Sequence, residues 1–231
     1  MQYFPISFIL VLLLFFLFIF LVISIEIGIL EYAYETMGIN KRYIFSLLLF
    51  SLLGSYINIP LFELPPEKVI SDSYVDLFGM RHVIPMVRDW PGTVIAVNLG
   101  GAVIPFILSL YLTLKNKFYG RALLGITIVA VVVHQMAYLV RGVGIAVPFF
   151  MPPVAATIVA LILSRKFAPA LAYISGSMGT LIGADIMNLN NIRGLGAPVA
   201  SIGGAGTFDG IFLTGIVAVF LSSLITGKKR I

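Results

Sequence analysis

The strongest constraint on this chain is its first apolar run, which extends from Phe4 to Ile25 without a charged residue. A helix needs about 20 consecutive, mainly apolar residues to cross the hydrocarbon core of a bilayer. The run is too long for the apolar region of a typical signal peptide, no Lys or Arg precedes it, and no small-residue cleavage site follows it. We therefore interpret it as a retained first membrane span.

The composition extends this interpretation to the whole chain. Of 231 residues, 60% are hydrophobic and 11% are charged, whereas soluble domains are about 45–50% apolar and about 25% charged. The chain is therefore predicted to be an all-α, polytopic transmembrane helix bundle in the cell membrane, a single domain over residues 1–231, with the lipid bilayer as its partner. The sequence does not indicate an oligomeric state. The apolar runs predict about seven spans, over residues 4–25, 43–62, 92–113, 120–141, 145–164, 168–189 and 207–226.

Basic residues alternate between the predicted loops. They follow the first, third and fifth spans and close the chain: Lys41, Arg42, Lys115, Lys117, Arg121, Arg165, Lys166, Lys228, Lys229 and Arg230. Because positive loops stay in the cytoplasm, the N-terminus is predicted outside and the C-terminus inside. The same distribution explains the net charge of +5 and argues against nucleic acid as a partner.

The long outer loop over residues 63–91 carries mixed charges. We expect an ordinary solvated connector. The alternative is a short helix over Val69 to Phe78 lying on the membrane surface, with Tyr74 and Trp90 at the interface.

Polar side chains, glycines and prolines gather at the predicted outer ends of the spans. They include Asn58, Asn98, His134, Asp185 and Asp209. Helix-weakening residues are tolerated in a bilayer where the freed backbone is buried in protein or faces a watery cavity. We therefore expect a polar cavity open toward the outer leaflet, although Gly and Pro at helix ends have a simpler explanation as helix terminators.

The two acidic residues are the strongest functional candidates. Asp185 and Asp209 lie a turn or two inside the sixth and seventh spans, where a charge costs a few kcal/mol unless it meets water, a partner or a proton. The loop between them can join antiparallel neighbours, which would place both acids at similar depth. Such a pair can act as general acid and base, or bind a cation or relay protons. Solvation at the helix ends, or salt bridges to Arg141 or Arg193, is the plain alternative.

Other side chains have supporting roles in this hypothesis. With Asp185 and Asp209 as catalytic residues, Asn188, Thr207, Asn98 and His134 would orient water or substrate. Asn188 shares a helical face with Asp185, and the small residues Gly176, Gly179 and Gly183 lie on roughly the opposite face, so the sixth helix is predicted to be buried between neighbours. The chain has no Cys and only two His, so neither a metal site nor a cofactor is expected.

Three stretches carry a resemblance to a known family: residues 98–105 (NLGGAVIP), 179–185 (GTLIGAD) and 203–215 (GGAGTFDGIFLTG). They resemble an uncharacterised prokaryotic family of multi-pass membrane proteins, domain of unknown function 1614. This resemblance implies a fold and a membrane location and no activity.

A weaker resemblance is to intramembrane aspartyl proteases of the presenilin and signal-peptide-peptidase type. Those enzymes carry one catalytic Asp near the end of a helix and another in a Gly-x-Gly-Asp motif that opens the next, which Asp185 and Asp209 would match. Residues 206–209 read Gly-Thr-Phe-Asp and so depart from that motif, and Ala184 stands where a Tyr precedes the first acid. The predicted topology also places the pair on the outer side, whereas those proteases work near the cytoplasm.

The resulting functional prediction has three branches. The first is an intramembrane aspartyl protease-like hydrolase that cleaves a membrane peptide. The second is a transporter or channel in which the same acids couple a proton or cation to movement of a small solute. The third is a non-catalytic membrane subunit or lipid-binding protein.

Overall fold

The structure, a computed structural model, describes residues 8–77, 80–140, 144–193, 196–204 and 210–227. Most of these residues are helical. The helices are α1 (Phe8–Thr36), α2 (Lys41–Gly54), α3 (Ile104–Asn116), α4 (Tyr119–Met136), α5 (Met151–Leu163), α6 (Ala168–Thr180) and α7 (Gly210–Thr226). A π-helical segment, Leu99–Val103, leads directly into α3. A second π segment, Leu181–Asp185, and a 3₁₀ segment, Ile186–Ile192, continue α6.

Three helical stretches of the described chain are long and apolar enough to cross a membrane: Leu99–Asn116, Tyr119–Met136 and Ala168–Ile192. The apolar helices Met151–Leu163 and Gly210–Thr226 are shorter. These stretches support a membrane protein. The total of about seven spans and the sides on which the termini lie stay predictions.

The stretch that includes α6 lies at the centre of the bundle. Of the 18 most apolar consecutive residues in this stretch, 78% are buried, whereas only 28% of the 18 residues of α4 are buried. Close packing requires the predicted small residues, because a Cβ at Gly179 would lie 2.6 Å from Val129 Cγ1 and one at Gly183 would lie 2.3 Å from the Ala130 carbonyl oxygen. The prediction that the sixth helix is buried between neighbours is thus confirmed.

The outer helices expose large apolar side chains. Phe106 on α3 is 55% exposed, Leu123 on α4 is 68% exposed and Ile162 on α5 is 78% exposed. A water-soluble surface rarely carries so much contiguous apolar area, so these faces fit a lipid bilayer.

The short basic loops meet at one end of the bundle. Lys115 Nζ donates a hydrogen bond to the carbonyl oxygen of Gly38, and the rings of Phe118 and Phe167 lie 5.6 Å apart. The loops after α1, α3 and α5 therefore share this end, which we call the basic end. Lys228, Lys229 and Arg230 lie outside the described residues.

Strands correct the all-α prediction. They are β1 (Asn58–Glu63), β2 (Glu67–Leu77), β3 (Met80–Trp90), β4 (Val94–Asn98), β5 (Tyr138–Val140), β6 (Gly144–Ala146) and β7 (Val199–Ile202). In one sheet β4 pairs antiparallel with β1 and parallel with β7. The pairs β2–β3 and β5–β6 are separate antiparallel ribbons.

The β2–β3 ribbon occupies most of the predicted outer loop over residues 63–91. The alternative of a surface helix is wrong as far as Leu77, and Phe78 lies outside the described residues. That the connector is solvated stays a prediction. The ribbon pairs Glu67 with Trp90 and Leu77 with Met80. Its strands contain β-branched and aromatic residues, among them Val69, Ile70 and Tyr74, which are residue types that favour β-structure.

Four predicted helices were too long. The spans predicted over 92–113 and 120–141 include β4 and β5, so their helices begin at Leu99 and end at Met136, respectively. The other two are shortened near prolines. The helix predicted over 43–62 ends at Gly54, because Pro60 and the β-branched Ile57 and Ile59 favour the extended backbone that β1 adopts. The helix predicted over 145–164 begins only at Met151, with prolines in its first turn, where the missing N–H is tolerated.

Candidate functional site

The predicted polar residues that the structure describes, among them Asn98, His134 and Asp185, lie at the end of the bundle opposite the basic end. Here α3 begins, α6 ends and the β1-β4-β7 sheet covers the gap between them. Both helices contain π-helical turns at this point. Single π turns inside helices occur frequently at functional sites, because they release backbone groups from the regular ladder.

Asn98 fixes the start of the first π segment. Its Oδ1 accepts a hydrogen bond from the Gly101 amide at 2.8 Å, which caps the segment. Its Nδ2 donates to the Ser55 carbonyl oxygen at 2.7 Å and to Asn58 Oδ1 at 3.0 Å. Ser201 Oγ also donates to Asn58 Oδ1, at 2.6 Å. Asn98 is buried, at 1% exposed. Because its amide group contacts Ser55, Asn58 and Gly101, it joins the end of α2, the sheet and the start of the helix that includes α3.

Asp185 ends the second π segment and reaches the loop after β7. Its Oδ2 accepts a hydrogen bond from the Gly203 amide at 2.7 Å. Gly203 has φ +93°, and a Cβ there would lie 2.6 Å from both the amide nitrogen and the Cβ of Ala102. Only glycine therefore allows this loop to contact the π start of α3 while it donates to Asp185.

Asn188, three residues after Asp185, stabilises the second π segment through its side-chain amide. Its Nδ2 donates to the carbonyl oxygens of Gly183 and Ala184, each at 3.0 Å, and lies 3.1 Å from His134 Nδ1. Because an amide NH₂ can only donate, Nδ1 of His134 accepts in this contact. Asn188 Oδ1 accepts from Asn191 Nδ2 at 3.0 Å. Asn188 therefore satisfies the unwound backbone of the π segment and ties it to α4.

The sequence comparison covers both helix breaks. A model of a family described as proteins of unknown function, DUF1614, matches residues 52–221. The chain belongs to the DUF1614 family. No curated protein and no solved structure matches it. The DUF1614 region starts near the end of α2 and includes Asn98, His134, Asp185 and Asp209.

A cavity of about 450 Å³ adjoins Asp185. It lies between the π segment, the β5–β6 ribbon, β7 and the start of α7, with Thr180, Ser201 and Gly210 among its lining residues. Thr180 is 4% exposed, and its buried hydroxyl has no hydrogen-bond partner among the described residues. A buried hydroxyl left unpaired costs about 1–3 kcal/mol, and this oxygen is itself closed to water, so Thr180 contacts the cavity through other atoms.

The predicted site residues are thus placed in two groups. Asp185 lines the cavity, and Asn188 and His134 contact each other behind it. Asn98 lies on the sheet side and connects to the cavity-lining Ser201 through Asn58. Asp209, Thr207 and Arg141 lie outside the described residues. Among the described residues, no three His, Asp or Glu side chains form a group able to hold a metal ion.

Sequence reasoning missed Thr180 and Gly203. A threonine inside an apolar helix carries no local signal, since its hydroxyl commonly bonds its own helix backbone. Gly203 stood among several glycines in one loop. Only the structure distinguishes it, as the donor to the acid.

Proposed function

We propose that this chain is a membrane transporter or channel in which Asp185 binds a proton, or the cationic group of a small solute, inside the cavity. The observation that carries the proposal is that the half-buried Asp185 lines a cavity at a break in a central helix. Discontinuous helices with freed backbone groups commonly form the ion and substrate sites of secondary transporters.

The energetics of the acid favour a positive partner. A carboxylate within a membrane-spanning segment costs a few kcal/mol unless it meets water, a partner or a proton. The Gly203 amide donates a hydrogen bond to Oδ2 of Asp185. A proton or an ammonium group on the cavity side would neutralise the carboxylate, whereas an anionic solute would be repelled.

The volume of the cavity limits the solute. About 450 Å³ lies in the lower part of the range of about 300–1,000 Å³ seen for small-molecule sites. The walls are apolar apart from Asp185, Thr180, Ser201 and Thr214 and exposed backbone. A small amine with one charged group and an apolar body matches this lining better than a sugar or a large organic ion.

The first experiment measures binding by thermal stability. Detergent-purified protein is heated with a panel of monovalent cations and small primary amines. A ligand present at about 100 times its Kd stabilises the folded state by about 2.7 kcal/mol. For a chain of this size the melting midpoint moves by about 2–4 °C per kcal/mol, so we expect a rise of roughly 5–10 °C. Asp185→Asn should remove the shift, while Asp89→Asn, an exposed acid outside the cavity, should retain it.

Flux is then measured in proteoliposomes with a pH-sensitive dye. The wild type and Asp89→Asn should move protons when the stabilising solute is added outside, and Asp185→Asn should not. Equal flux in both variants would contradict the proposal. An inert protein that binds none of the panel and co-purifies with one fixed partner would instead favour the non-catalytic subunit.

A second candidate is the intramembrane aspartyl hydrolase, which one observation favours. Gly210 lines the same cavity as Asp185, and Asp209 precedes it directly in the sequence. We propose for this candidate that both carboxyl groups share the cavity, within about one water molecule of each other, with Thr207 and Asn188 orienting the attacking water.

The hydrolase is tested with a panel of fluorogenic membrane peptides. Cleavage that disappears in Asp185→Asn and also in Asp209→Asn, and a transition-state mimic that blocks it, would support the hydrolase over transport. A purified chain that cleaves no peptide yet moves protons would exclude it.

A further inference from the structure

A second and larger cavity lies on the other side of α3. It occupies about 1,550 Å³ between α2, α3 and the loop after α1, beyond the range of about 300–1,000 Å³ typical of small-molecule pockets. Its walls are mainly apolar and include Leu47, Phe50 and Leu53 on α2 and Ile104 and Ile107 on α3. We call this cavity the α2–α3 groove.

The groove is long because α2 and α3 meet closely at only one end. There a Cβ on Gly54 would lie 3.0 Å from the Gly100 amide nitrogen, and Ser51 Oγ donates to the Gly100 carbonyl oxygen at 3.3 Å. At the opposite end, Lys115 Nζ reaches the Gly38 carbonyl oxygen. The 14 residues of α2 rise about 21 Å at 1.5 Å per residue. That length exceeds one leaflet, about half of the ~30 Å hydrocarbon core.

The polar end of the groove is positively charged. Its charged lining residues are Glu35, Lys41 and Lys115. Lys41 pairs with Glu35 at 2.6 Å, so the ammonium of Lys115 supplies the net positive charge. Tyr43 and Tyr111 line the same end, and Lys115 Nζ lies 5.6 Å from the centre of the Tyr111 ring. Tyrosine and lysine at one level are typical of the interface where lipid headgroups lie.

From this arrangement we propose that the α2–α3 groove binds one anionic phospholipid. One acyl chain lies between α2 and α3, and the phosphodiester contacts Lys115 at the basic end. Charge complementarity selects an anionic lipid, because a zwitterionic headgroup adds a second cation next to Lys115. Basic pockets between membrane helices bind acidic headgroups in the same way. The site is separate from the Asp185 cavity and does not depend on the proposed transport.

The test uses tryptophan quenching by brominated lipids in reconstituted full-length protein. The chain has one tryptophan, Trp90, so Trp90→Phe gives a dark background. Phe50→Trp then places a reporter in the groove, and Leu123→Trp places a control on the lipid-facing surface of α4. Each protein is reconstituted in mixtures of brominated phosphatidylglycerol and unbrominated phosphatidylcholine, and in the reverse mixtures.

The groove reporter should show about fivefold preference for phosphatidylglycerol, the ratio expected from one basic residue near the membrane surface. The control reporter should show a ratio near one. Lys115→Gln should remove the preference at Phe50→Trp. Lys117→Gln, an exposed neighbour with the same charge change that does not line the groove, should retain it.

Three results would overturn the inference. Equal quenching of the groove reporter by both lipids would show no selection of charge. No quenching by either lipid would show that protein, such as a second copy, covers the groove. Loss of preference in Lys117→Gln as well as Lys115→Gln would show a general surface charge effect.

Discussion

The contact between Gly183 and α4 provides the sharpest test of the packing around the site. Gly183 lies in the π segment that ends at Asp185, and a Cβ there would lie 2.3 Å from the Ala130 carbonyl oxygen and 3.0 Å from the Ala130 Cα. All of these atoms are backbone, so no side-chain rotation relieves the clash. We expect Gly183→Ala to force α4 and α6 apart.

The expected change in the stability of Gly183→Ala follows from two opposing effects. Overpacking of a dense interior typically costs 1–3 kcal/mol, and Ala is preferred over Gly in a helix by roughly 0.5–1 kcal/mol. Because the clashing atoms are backbone and cannot rotate away, we take the upper overpacking cost of about 3 kcal/mol, which leaves a net loss of about 2 kcal/mol in the free energy of unfolding. At about 2–4 °C per kcal/mol for a chain of 150–250 residues, the midpoint should fall by roughly 4–8 °C.

Gly28→Ala is the matched control. Gly28 lies in the middle of α1, and no atom lies within 4 Å of a Cβ built there. It should raise the midpoint by up to about 4 °C, from the helical preference alone. Thermal melts followed by circular dichroism in one detergent would measure both variants. If Gly183→Ala were as stable as the wild type, or if both variants lost equal stability, the close α4–α6 packing described here would be refuted.

Three further substitutions test the polar contacts by the same melts. Asn188→Ala should lower the free energy of unfolding by about 1–3 kcal/mol, because the Gly183 and Ala184 carbonyls lose their donor. The control Asn190→Ala, at an exposed position, should change it by no more than about 0.5 kcal/mol. Equal effects would contradict the role of Asn188. Gly203→Ala should destabilise the fold more than Gly227→Ala. Both glycines have positive φ, but only at Gly203 would a Cβ also clash with Ala102. The reverse order would contradict the close contact between Gly203 and Ala102. Asn98→Ala should lower the free energy of unfolding by about 1–2 kcal/mol. This loss should exceed that of Asn40→Ala, which removes an exposed helix cap. A smaller loss in Asn98→Ala would mean that its hydrogen bonds add little stability.

Local patterns predicted the helices whose signal lies within one segment. The small residues of α6 recur at helical spacing, and this was enough to predict a buried helix with its acid at one end. The α7 bounds, Gly210–Thr226, agree with the prediction of 207–226. The basic loops also identified one end of the bundle from sequence alone.

The strands and the partners of the acid depended on contacts between distant residues. The parallel pairing of β4 with β7 brings Val94 beside Val199, and no periodicity within either segment encodes it. The donor to Asp185 comes from Gly203, which belongs to the loop after β7. The expectation that an intervening glycine-rich loop only connects two helices therefore missed the contact that fixes the acid.

The most direct test of the account is whether water reaches the Asp185 cavity inside the membrane. The chain contains no cysteine, so single cysteines can be introduced without removing any. Leu213→Cys places a thiol on α7 at the cavity wall, and Leu110→Cys places one on the lipid-facing side of α3, where Leu110 is 48% exposed. We predict that a charged, membrane-impermeant thiol reagent labels Leu213→Cys in proteoliposomes from the side opposite the one that labels Lys117→Cys, and does not label Leu110→Cys. Labelling of Leu110→Cys but not Leu213→Cys would contradict a water-filled cavity beside the acid.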